Sequence, residues 1–527
     1  MEILRSPLGR RRFLALAAQT AAAGTLPRSA WGGRALHHDP FGLGVASGDP
    51  TPGGFVLWTR LLGNGGPLPP SPVPVRWEVA QDAAFRRIVQ HGSTLALPEL
   101  AHSVHVELAD LKPGRWYHYR FHHGAATSRV GQARTAPALH ELPAHLRLVF
   151  ASCQRWEHGY YAAWANVARD APDLVLFLGD YIYEYASPSD PTGLARVHAL
   201  RHARTLADFR DRYALHKSDP QLQAAHAACP WVVTWDDHEV QNDWVGHTGR
   251  EESGDGDSTH FESLRSAGFQ AFYEHMPLGS ARLAGPGFAS LQLHRRLAWG
   301  QLAELHVLDG RQYRDRQACR RTEASGAGAV QPAQCEALAQ PARSFLGAAQ
   351  EQWLDTGLAH DAARGARWSV LAQQTLFSPR HYPSGLQSTD TWDGYPAARE
   401  RLTASIERHA PGRTVLLGGD IHQNYVCRVP KDARDPDGPV VASEFCGTSI
   451  SSRSGTTQEK VDAIVRRNPH VLLARCGERG YGLADITPTL WTTQLQAVQD
   501  PMRIDSAVDT LARFVVEPRQ AGPVRVA

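Results

Sequence analysis

The sequence predicts an α/β protein whose main region follows a small β-sandwich. Between about residues 41 and 137, short strand-like runs are separated by turns rich in Pro and Gly. After Pro143, continuous apolar runs alternate with helical stretches. Several of those runs end in polar side chains of the kinds that bind metals, which predicts a candidate site at one edge of the sheet.

The first of these regions, residues 36–140, contains strand-like runs at residues 55–59, 75–79, 102–108 and 116–121. Several of the runs alternate between apolar and polar residues, as strands with one buried face do. The turn Leu111-Lys112-Pro113-Gly114 before an aromatic run resembles the corresponding turn of fibronectin type III domains. We therefore expect a small fibronectin-III-like β-sandwich.

The second region, residues 141–495, contains apolar runs at residues 148–150, 174–178, 231–233, 305–308, 368–371 and 415–417. Runs of this kind suit strands that are buried on both faces, with helices as the crossovers between them. Residues 496–527 carry no recognisable motif. We expect them to form a C-terminal tail or a closing helix.

The N-terminus carries a targeting pattern. Arg10 and Arg11, followed by Phe13-Leu14 and a mostly apolar stretch at residues 15–23, resemble a twin-arginine signal. The alternative is a basic start to a cytoplasmic helix. No later run reaches the roughly 18 apolar residues of a spanning helix. The pattern predicts a signal peptide at residues 1–35, with its cleavage site open. It also predicts a partner in the Tat export machinery, a periplasmic or secreted location and no stable membrane anchor.

Charge and cysteine content narrow the function classes. The 55 basic and 53 acidic residues give a net charge of +2, which is no signature of nucleic-acid binding. Seven cysteines are present without a CxxC motif, which excludes a zinc ribbon or a thioredoxin-type site. Cys319 and Cys335 flank a stretch rich in Gly, Ala and Gln, and in an exported protein we expect a disulfide between them.

Five segments with potential ligands follow apolar runs. They are residues 152–154, 179–183, 234–239, 309–314 and 418–422. In open α/β sheets the site lies at the carboxyl ends of the strands, so these segments are predicted to converge. Taken singly, Asp180 and Asp237 also fit helix N-caps, and His422 also fits a hydrogen-bonded core histidine. Jointly the segments favour a metal site.

The ligand types divide into two sets. A thiolate, an imidazole and a phenolate, from Cys153, His422 and Tyr183, suit a redox-capable or strongly Lewis-acidic transition metal. Hard oxygen donors suit calcium, magnesium or manganese, and the candidates are Asp237, Asp420 and Asn242. Asp180 is the natural bridge between the two sets. Such a site activates water and neutralises charge on a phosphoryl group.

The motifs at residues 150–154, 178–185, 235–240 and 418–422 resemble, in order, those of the alkaline phosphatase D (PhoD) family of metallophosphoesterases. Residues 44–50, 57–60, 346–354 and 447–452 match the family as well, and the resemblance runs from about residue 41 to residue 491. It implies a calcineurin-like α/β/β/α sandwich behind a β-sandwich domain.

The resemblance also implies roles for individual residues. Ferric iron (Fe3+) would be held by Cys153, Asp180, Tyr183 and His422. Asp180 would bridge to Ca2+, held also by Asp237 and Asp420, with Asn242 as a weaker ligand. His238 would sit beside the phosphate and assist the leaving group. Arg311 and Arg314 are candidates for binding phosphate oxygens, with structural salt bridges as the alternative.

The predicted function is an exported, monomeric phosphoesterase that hydrolyses small-molecule phosphate mono- or diesters with metal-activated hydroxide. One alternative is a non-catalytic exported protein that binds phosphate or polyanions. Within the enzyme class, a phospholipase D-type phosphodiesterase is a further alternative. His238, directly after the candidate ligand Asp237, favours catalysis because a binding protein has no need of it.

Overall fold

A computed structural model of the chain describes residues 39–63, 68–249, 258–320, 326–518, 520 and 522–526. The predicted signal peptide and its cleavage site lie outside these residues. None of the helices within the described ranges is long and apolar enough to cross a membrane.

The N-terminal region is built from strands, as the sequence predicts. The strands are β1 (Val45–Thr51), β2 (Gly54–Arg60), β3 (Val73–Ala80), β4 (Ile88–Ala96), β5 (Ser103–Glu107), β6 (Trp116–His123), β7 (Ala126–Thr127) and β8 (Gly131–Arg134). Strands β4-β3-β6-β7 form one sheet in that order, and β8 pairs with β6. Its inner residues Val75 and Phe121 share a buried cluster with Val45 and Leu57 of the facing layer, so the region is a β-sandwich.

The rest of the chain mixes strands and helices. The strands are β9 (Leu146–Ala151), β10 (Leu174–Phe177), β11 (Pro230–Val233), β12 (Arg295–Trp299), β13 (Ala303–Val307), β14 (Ala329–Val330), β15 (Trp368–Ala372), β16 (Gln387–Ser388), β17 (Thr414–Gly418), β18 (Asn424–Pro430), β19 (Val440–Cys446), β20 (Val471–Arg475), β21 (Gly480–Ile486), β22 (Trp491–Val498), β23 (Val508–Val516) and β24 (Val524–Val526). The helices are α1 (Ala162–Asp170), α2 (Leu206–Lys217), α3 (Pro220–Ala228), α4 (Ser258–His275), α5 (Ala348–Arg364), α6 (Pro396–His409) and α7 (Gln458–Val465).

Two large sheets pack face to face. One has ten strands in the order β24-β23-β22-β21-β9-β10-β11-β1-β2-β5, and the other has seven in the order β12-β13-β15-β17-β19-β18-β20. Alternate residues of each strand, such as Leu148 and Leu417, fill the core between the sheets. The opposite face of the first sheet packs on α1 to α4, and that of the second packs on α5 and α6. The predicted α/β/β/α sandwich is confirmed.

Local sequence explains where several helices begin and end. Helix α2 starts after Thr205, which forms a capping box with Asp208. Helix α3 starts at Pro220, and the carboxylate of Asp219 accepts the first free backbone amides. Helix α5 ends at Gly365, whose φ of 71° is the left-handed conformation that glycine adopts without strain.

The C-terminal prediction is wrong. We expected residues 496–527 to form a tail or a closing helix, but β22 runs to Val498, and β23 and β24 then extend the ten-stranded sheet. Ala512, Phe514 and Val516 are buried between the sheets at alternate positions. A period of two residues is that of a strand with one buried face, and a helix could not bury the same three side chains together.

The two regions share a sheet. Strand β1 pairs in parallel with β11, with Ser47 opposite Pro230 and Gly48 opposite Trp231. A Cβ atom on Gly48 would lie 2.5 Å from the Pro277 carbonyl oxygen, so glycine is required for this close approach. The sequence predicts a domain boundary near residue 140. Strands from both sides of that boundary belong to one continuous sheet.

The predicted disulfide between Cys319 and Cys335 is confirmed. The bridge closes the loop that contains β14. The other five cysteines are free and buried: Cys153, Cys229, Cys427, Cys446 and Cys476.

Candidate metal centre

Segments from both sheets meet at the carboxyl ends of parallel strands. Strands β9, β10 and β11 run in parallel, as do β13, β15 and β17. Cys153 follows β9, Asp180 follows β10, and the acidic segment at residues 236–239 follows β11. Across the core, Asp420 and His422 follow β17. The convergence predicted from the strand exits is present.

Four of the candidate ligands have a left-handed backbone. The φ angles are 59° at Cys153, 58° at Asp180, 66° at Asp420 and 54° at His422. This conformation costs about 1–3 kcal/mol at a residue with a Cβ, and it persists only where surrounding structure enforces it. Before Asp180, Gly179 is required because a Cβ there would lie 2.5 Å from the Cβ of Asp236. Sharp turns therefore aim these side chains into the space between the strand ends.

The first group of candidate ligands contains Cys153, Asp180 and His422, whose ligand atoms all lie within 4.8 Å of one another. The Tyr183 hydroxyl lies 2.9 Å from Asp180 Oδ2 and 3.0 Å from His422 Nε2. His422 Nδ1 is 2.8 Å from the carbonyl oxygen of Arg453, which leaves Nε2 to face the group. The structure thus brings together all four residues that the resemblance assigned to iron.

The second group contains Asp180, Asp237 and His238, again within 4.8 Å. Asp180 belongs to both groups. Its Oδ2 accepts a hydrogen bond from Tyr183, but its Oδ1 is buried without a hydrogen-bond partner in the part of the chain that the structure describes. An unpartnered buried carboxylate oxygen is costly, and a cation between the two groups would satisfy it. The residues present therefore fit a pair of metal ions that share Asp180.

The electrostatics of the first group agree with that fit. Burial raises the pKa of Asp180 well above its usual range, and the neighbouring Asp237, Asp236 and Glu239 raise it further while His238 opposes them. Burial also raises the pKa of the Cys153 thiol and of the Tyr183 hydroxyl well above their usual values. Metals bind these groups as anions, so bound cations would stabilise the forms that the protein alone disfavours.

His238 is held by an acid that the sequence analysis did not single out. Glu184 Oε2 lies 2.7 Å from His238 Nδ1, and Glu184 Oε1 accepts the backbone N–H of Asn242 at 2.8 Å. Burial lowers the pKa of His238, but Glu184, Asp180 and Asp237 together raise it well above its usual value. The sequence offered one reason to consider Glu184, because it follows the candidate ligand Tyr183 directly in the segment after β10.

Glu239 supports the turns themselves. Its carboxylate accepts the backbone N–H groups of Asp180, Tyr181 and Asp236, at 3.0, 2.6 and 2.9 Å. Burial raises the pKa of Glu239 to about 7, which these three backbone hydrogen bonds oppose. One side chain thus joins the turn after β10 to the turn after β11.

Asp420 and Asn242 lie at the periphery. Asp420 belongs to neither group of ligand atoms within 4.8 Å. Burial raises its pKa to about 6, against the opposing charge of Arg311. Asn242 is tied to the centre through its backbone bond to Glu184. Their role as calcium ligands stays a prediction.

The two arginines predicted to bind phosphate form salt bridges with protein carboxylates. Arg311 Nε lies 2.5 Å from Asp236 Oδ1, and its terminal nitrogens each lie 3.0 Å from Asp390. Arg314 Nη1 lies 3.0 Å from the same Asp390. Both side chains are 0% exposed. These contacts are the structural salt bridges given as the alternative, but Arg314 Nη2 is buried without a hydrogen-bond partner among the described residues. Phosphate binding by the two arginines stays a prediction.

Comparison with known proteins agrees with this geometry. Residues 148–495 match the family model described as PhoD-like phosphatase, and residues 26–137 match that of the PhoD-like phosphatase N-terminal domain. The chain is 41% identical over 495 residues to alkaline phosphatase D of Bacillus subtilis (strain 168), covering 92% of this chain and 82% of that protein. A solved structure described as "Structure of PhoD" superposes with a TM-score of 0.85 at 39% identity, covering 95% of this chain and 94% of the other.

Proposed function

This chain belongs to the PhoD-like phosphatase family and is a phosphoric ester hydrolase, and we propose that two kinds of metal ion, sharing Asp180, serve its reaction. The substrate is a small-molecule phosphate ester. Steady-state kinetics distinguish a monoester from a diester substrate. The single observation that carries the proposal is the position of Asp180, which lies in both groups of ligand atoms and has a buried Oδ1 with no partner among the described residues.

The donors suggest a different ion for each group. Cys153, Tyr183 and His422 offer sulfur, phenolate oxygen and nitrogen to a ferric ion. Oxygen donors suit calcium on the other side of Asp180, and we assign Asp237, Asp420 and Asn242 there. When bound, such ions supply Lewis acidity that lowers the pKa of a water molecule and neutralises charge on the phosphoryl group.

His238 is the proposed general acid. Its Nδ1 is occupied by Glu184, so Nε2 is the nitrogen available to a substrate. The buried carboxylate of Glu184 fixes the orientation of the ring through Nδ1. A proton at Nε2 would pass to the oxygen of the leaving group as the ester bond breaks.

The test combines metal analysis with turnover of p-nitrophenyl phosphate and bis-p-nitrophenyl phosphate. Purified wild type is expected to contain iron and calcium and to hydrolyse at least one ester, and a chelator should abolish turnover. Asp180→Asn should lose both metals, whereas Asp505→Asn, at an exposed ion pair, should keep them. Full activity in a metal-free protein would contradict the proposal.

The proposal extends to export and to the division of the chain. We propose that residues 1–35 direct the protein to the Tat machinery, which would place the enzyme in the periplasm or outside the cell. Residues 36–140 would then form the N-terminal β-sandwich, and residues 141–495 would carry the metal centre. The motif Arg10-Arg11 before Phe13-Leu14 supports the signal.

A further inference from the structure

The side chains of Arg311 and Arg314 are 0% exposed and bound to protein carboxylates, which favours a more exposed arginine as the residue that contacts substrate. We propose that Arg155 binds the non-bridging phosphate oxygens of the substrate. This assignment rests on the proposed function, since it places the phosphate beside the metal centre. It adds a phosphate-binding residue that lies outside the candidate ligands and outside the predicted pair of arginines.

The backbone of Arg155 is fixed to the centre. Its N–H donates to Ser452 Oγ at 3.0 Å, and its carbonyl oxygen accepts from Ser451 Oγ at 2.8 Å. Ser452 Oγ also lies 2.8 Å from the Tyr183 hydroxyl. Arg155 follows Cys153 by two residues, and the serine turn that holds its backbone also contacts Tyr183, a second candidate ligand. The backbone from which the Arg155 side chain extends is therefore held in place.

The guanidinium group is oriented from one edge. Its centre lies 5.7 Å from the ring centroid of Tyr183 and 5.3 Å from that of Tyr185. Nε donates to Glu157 Oε2 at 3.3 Å, and Glu157 Oε1 is held in turn by Ser187 at 3.1 Å. The aromatic rings and one carboxylate thus set the plane of the group.

The edge of the Arg155 guanidinium that carries the two terminal nitrogens is free of hydrogen-bond partners among the described residues. Within the described ranges, neither terminal nitrogen of Arg155 has a hydrogen-bond partner, and the side chain is 19% exposed where those of Arg311 and Arg314 are 0%. Two parallel N–H donors on a fixed planar group match the geometry of two phosphate oxygens. Arg453, by comparison, already donates to the carbonyl oxygen of Gly193.

The proposed general acid, His238, also lies beside the rings of Tyr183 and Tyr185. The His238 ring lies 4.1 Å from the centroid of Tyr183 and 5.4 Å from that of Tyr185. Arg155 and His238 are therefore both neighbours of the candidate ligand Tyr183. A phosphate held there would have His238 near its leaving oxygen and Arg155 on its non-bridging oxygens. One guanidinium charge would offset part of the substrate charge in either ester class.

The experiment measures binding as well as turnover. Calorimetry with inorganic phosphate gives a Kd for the metal-loaded enzyme, and p-nitrophenyl phosphate gives kcat and KM. Arg155→Met is expected to raise the phosphate Kd and the KM about 10- to 100-fold, as expected for loss of hydrogen bonds to a charged group. Arg155→Lys should recover only part of this, because an ammonium cannot form the paired contact. Iron and calcium contents should stay at wild-type levels.

Arg503→Met is the matched control, because Arg503 is 65% exposed and pairs with Asp505, which is exposed as well. It should leave Kd, KM and metal content unchanged. A phosphate Kd and KM within twofold of wild type in metal-loaded Arg155→Met would overturn the assignment. Loss of metal from Arg155→Lys would overturn it too, because Arg155 would then be holding the centre together. A wild-type enzyme that binds phosphate but hydrolyses no ester would contradict the proposed function and leave this assignment standing.

Discussion

Glu184 Oε2 lies 2.7 Å from His238 Nδ1, and the Glu184 side chain is wholly buried. Its second oxygen holds the backbone of Asn242. One carboxylate therefore sets the orientation and charge of the imidazole and anchors the chain just beyond it. Glu184 is a positioning residue in the proposed mechanism, since it acts through His238.

Glu184→Gln should lower kcat about 10- to 100-fold, the usual cost of losing a partner that orients a residue at a metal site. Iron and calcium contents should change little, because neither group of candidate ligands includes Glu184. Steady-state kinetics and metal analysis check this. Glu407→Gln, at an exposed pair with Lys431, is the control. An unchanged kcat would remove the positioning role.

Tyr183 and Cys153 should colour the protein if iron is bound between them. Phenolate and thiolate ligands to a ferric ion give charge-transfer absorption, so the visible band should shift in Tyr183→Phe and be lost or strongly shifted in Cys153→Ala. A calcium chelator should abolish turnover reversibly while the band persists, because hard oxygen donors hold calcium exchangeably. A colourless, fully active protein that contains only zinc would refute the iron assignment.

Arg311→Met should destabilise the fold, because Asp236 and Asp390 would lose their buried cation. Breaking a buried ion pair by removing one partner costs about 3–5 kcal/mol of the free energy of unfolding. Chemical denaturation measures the loss, and Arg434→Met, 82% exposed, is the control. If stability were unchanged and only KM rose, the original phosphate-binding prediction would be supported.

Removing the Cys319–Cys335 disulfide should lower the free energy of unfolding by about 3 kcal/mol, the chain-entropy value for a loop of this size. The double variant Cys319→Ser/Cys335→Ser tests this by denaturation under non-reducing conditions. Cys476→Ser, at a free cysteine, should have a smaller effect. Wild-type protein and the double variant with equal midpoints would show that the bridge adds no stability.

Replacing Arg10 and Arg11 with lysines should leave the full-length precursor in the cytoplasm, because twin-arginine signals require both arginines. Fractionation and immunoblotting would follow the protein, with Arg5→Lys as the control. An unchanged periplasmic amount would make general secretion the better explanation.

The sequence predicted the candidate ligands better than their surroundings. Cys153, Asp180 and His422 could be identified because each follows an apolar run, and strand exits converge in a parallel sheet. Arg311 was placed in the correct segment, but its carboxylate partner was not identified. The reason is Asp390, which lies in a loop far along the chain and follows no apolar run. Whether a guanidinium binds phosphate or a protein carboxylate depends on residues that are distant in the sequence, such as Asp390.

The fold shows the same contrast: local sequence patterns predict individual strands, whereas the pairing of distant strands is not visible in them. Apolar periodicity identified β9, β10, β11, β13, β15 and β17. It did not reveal that β1 joins the large sheet, because pairing partners are a tertiary property. Strand β23 was missed although Ala512, Phe514 and Val516 alternate with more exposed residues, a period that was readable in principle.

The parallel pairing of β1 with β11 has a consequence for how the chain acquires its native state. Residues 47 and 230 must find each other across a long intervening segment, and contacts of such high sequence separation make folding slow. Until β1 arrives, β11 lacks one neighbour, and β11 is the strand that leads into Asp237 and His238. We therefore expect the chain to bind metal only after β1 has docked on β11. A truncated chain that lacks β1 should be aggregation-prone, because it would expose a bare parallel edge.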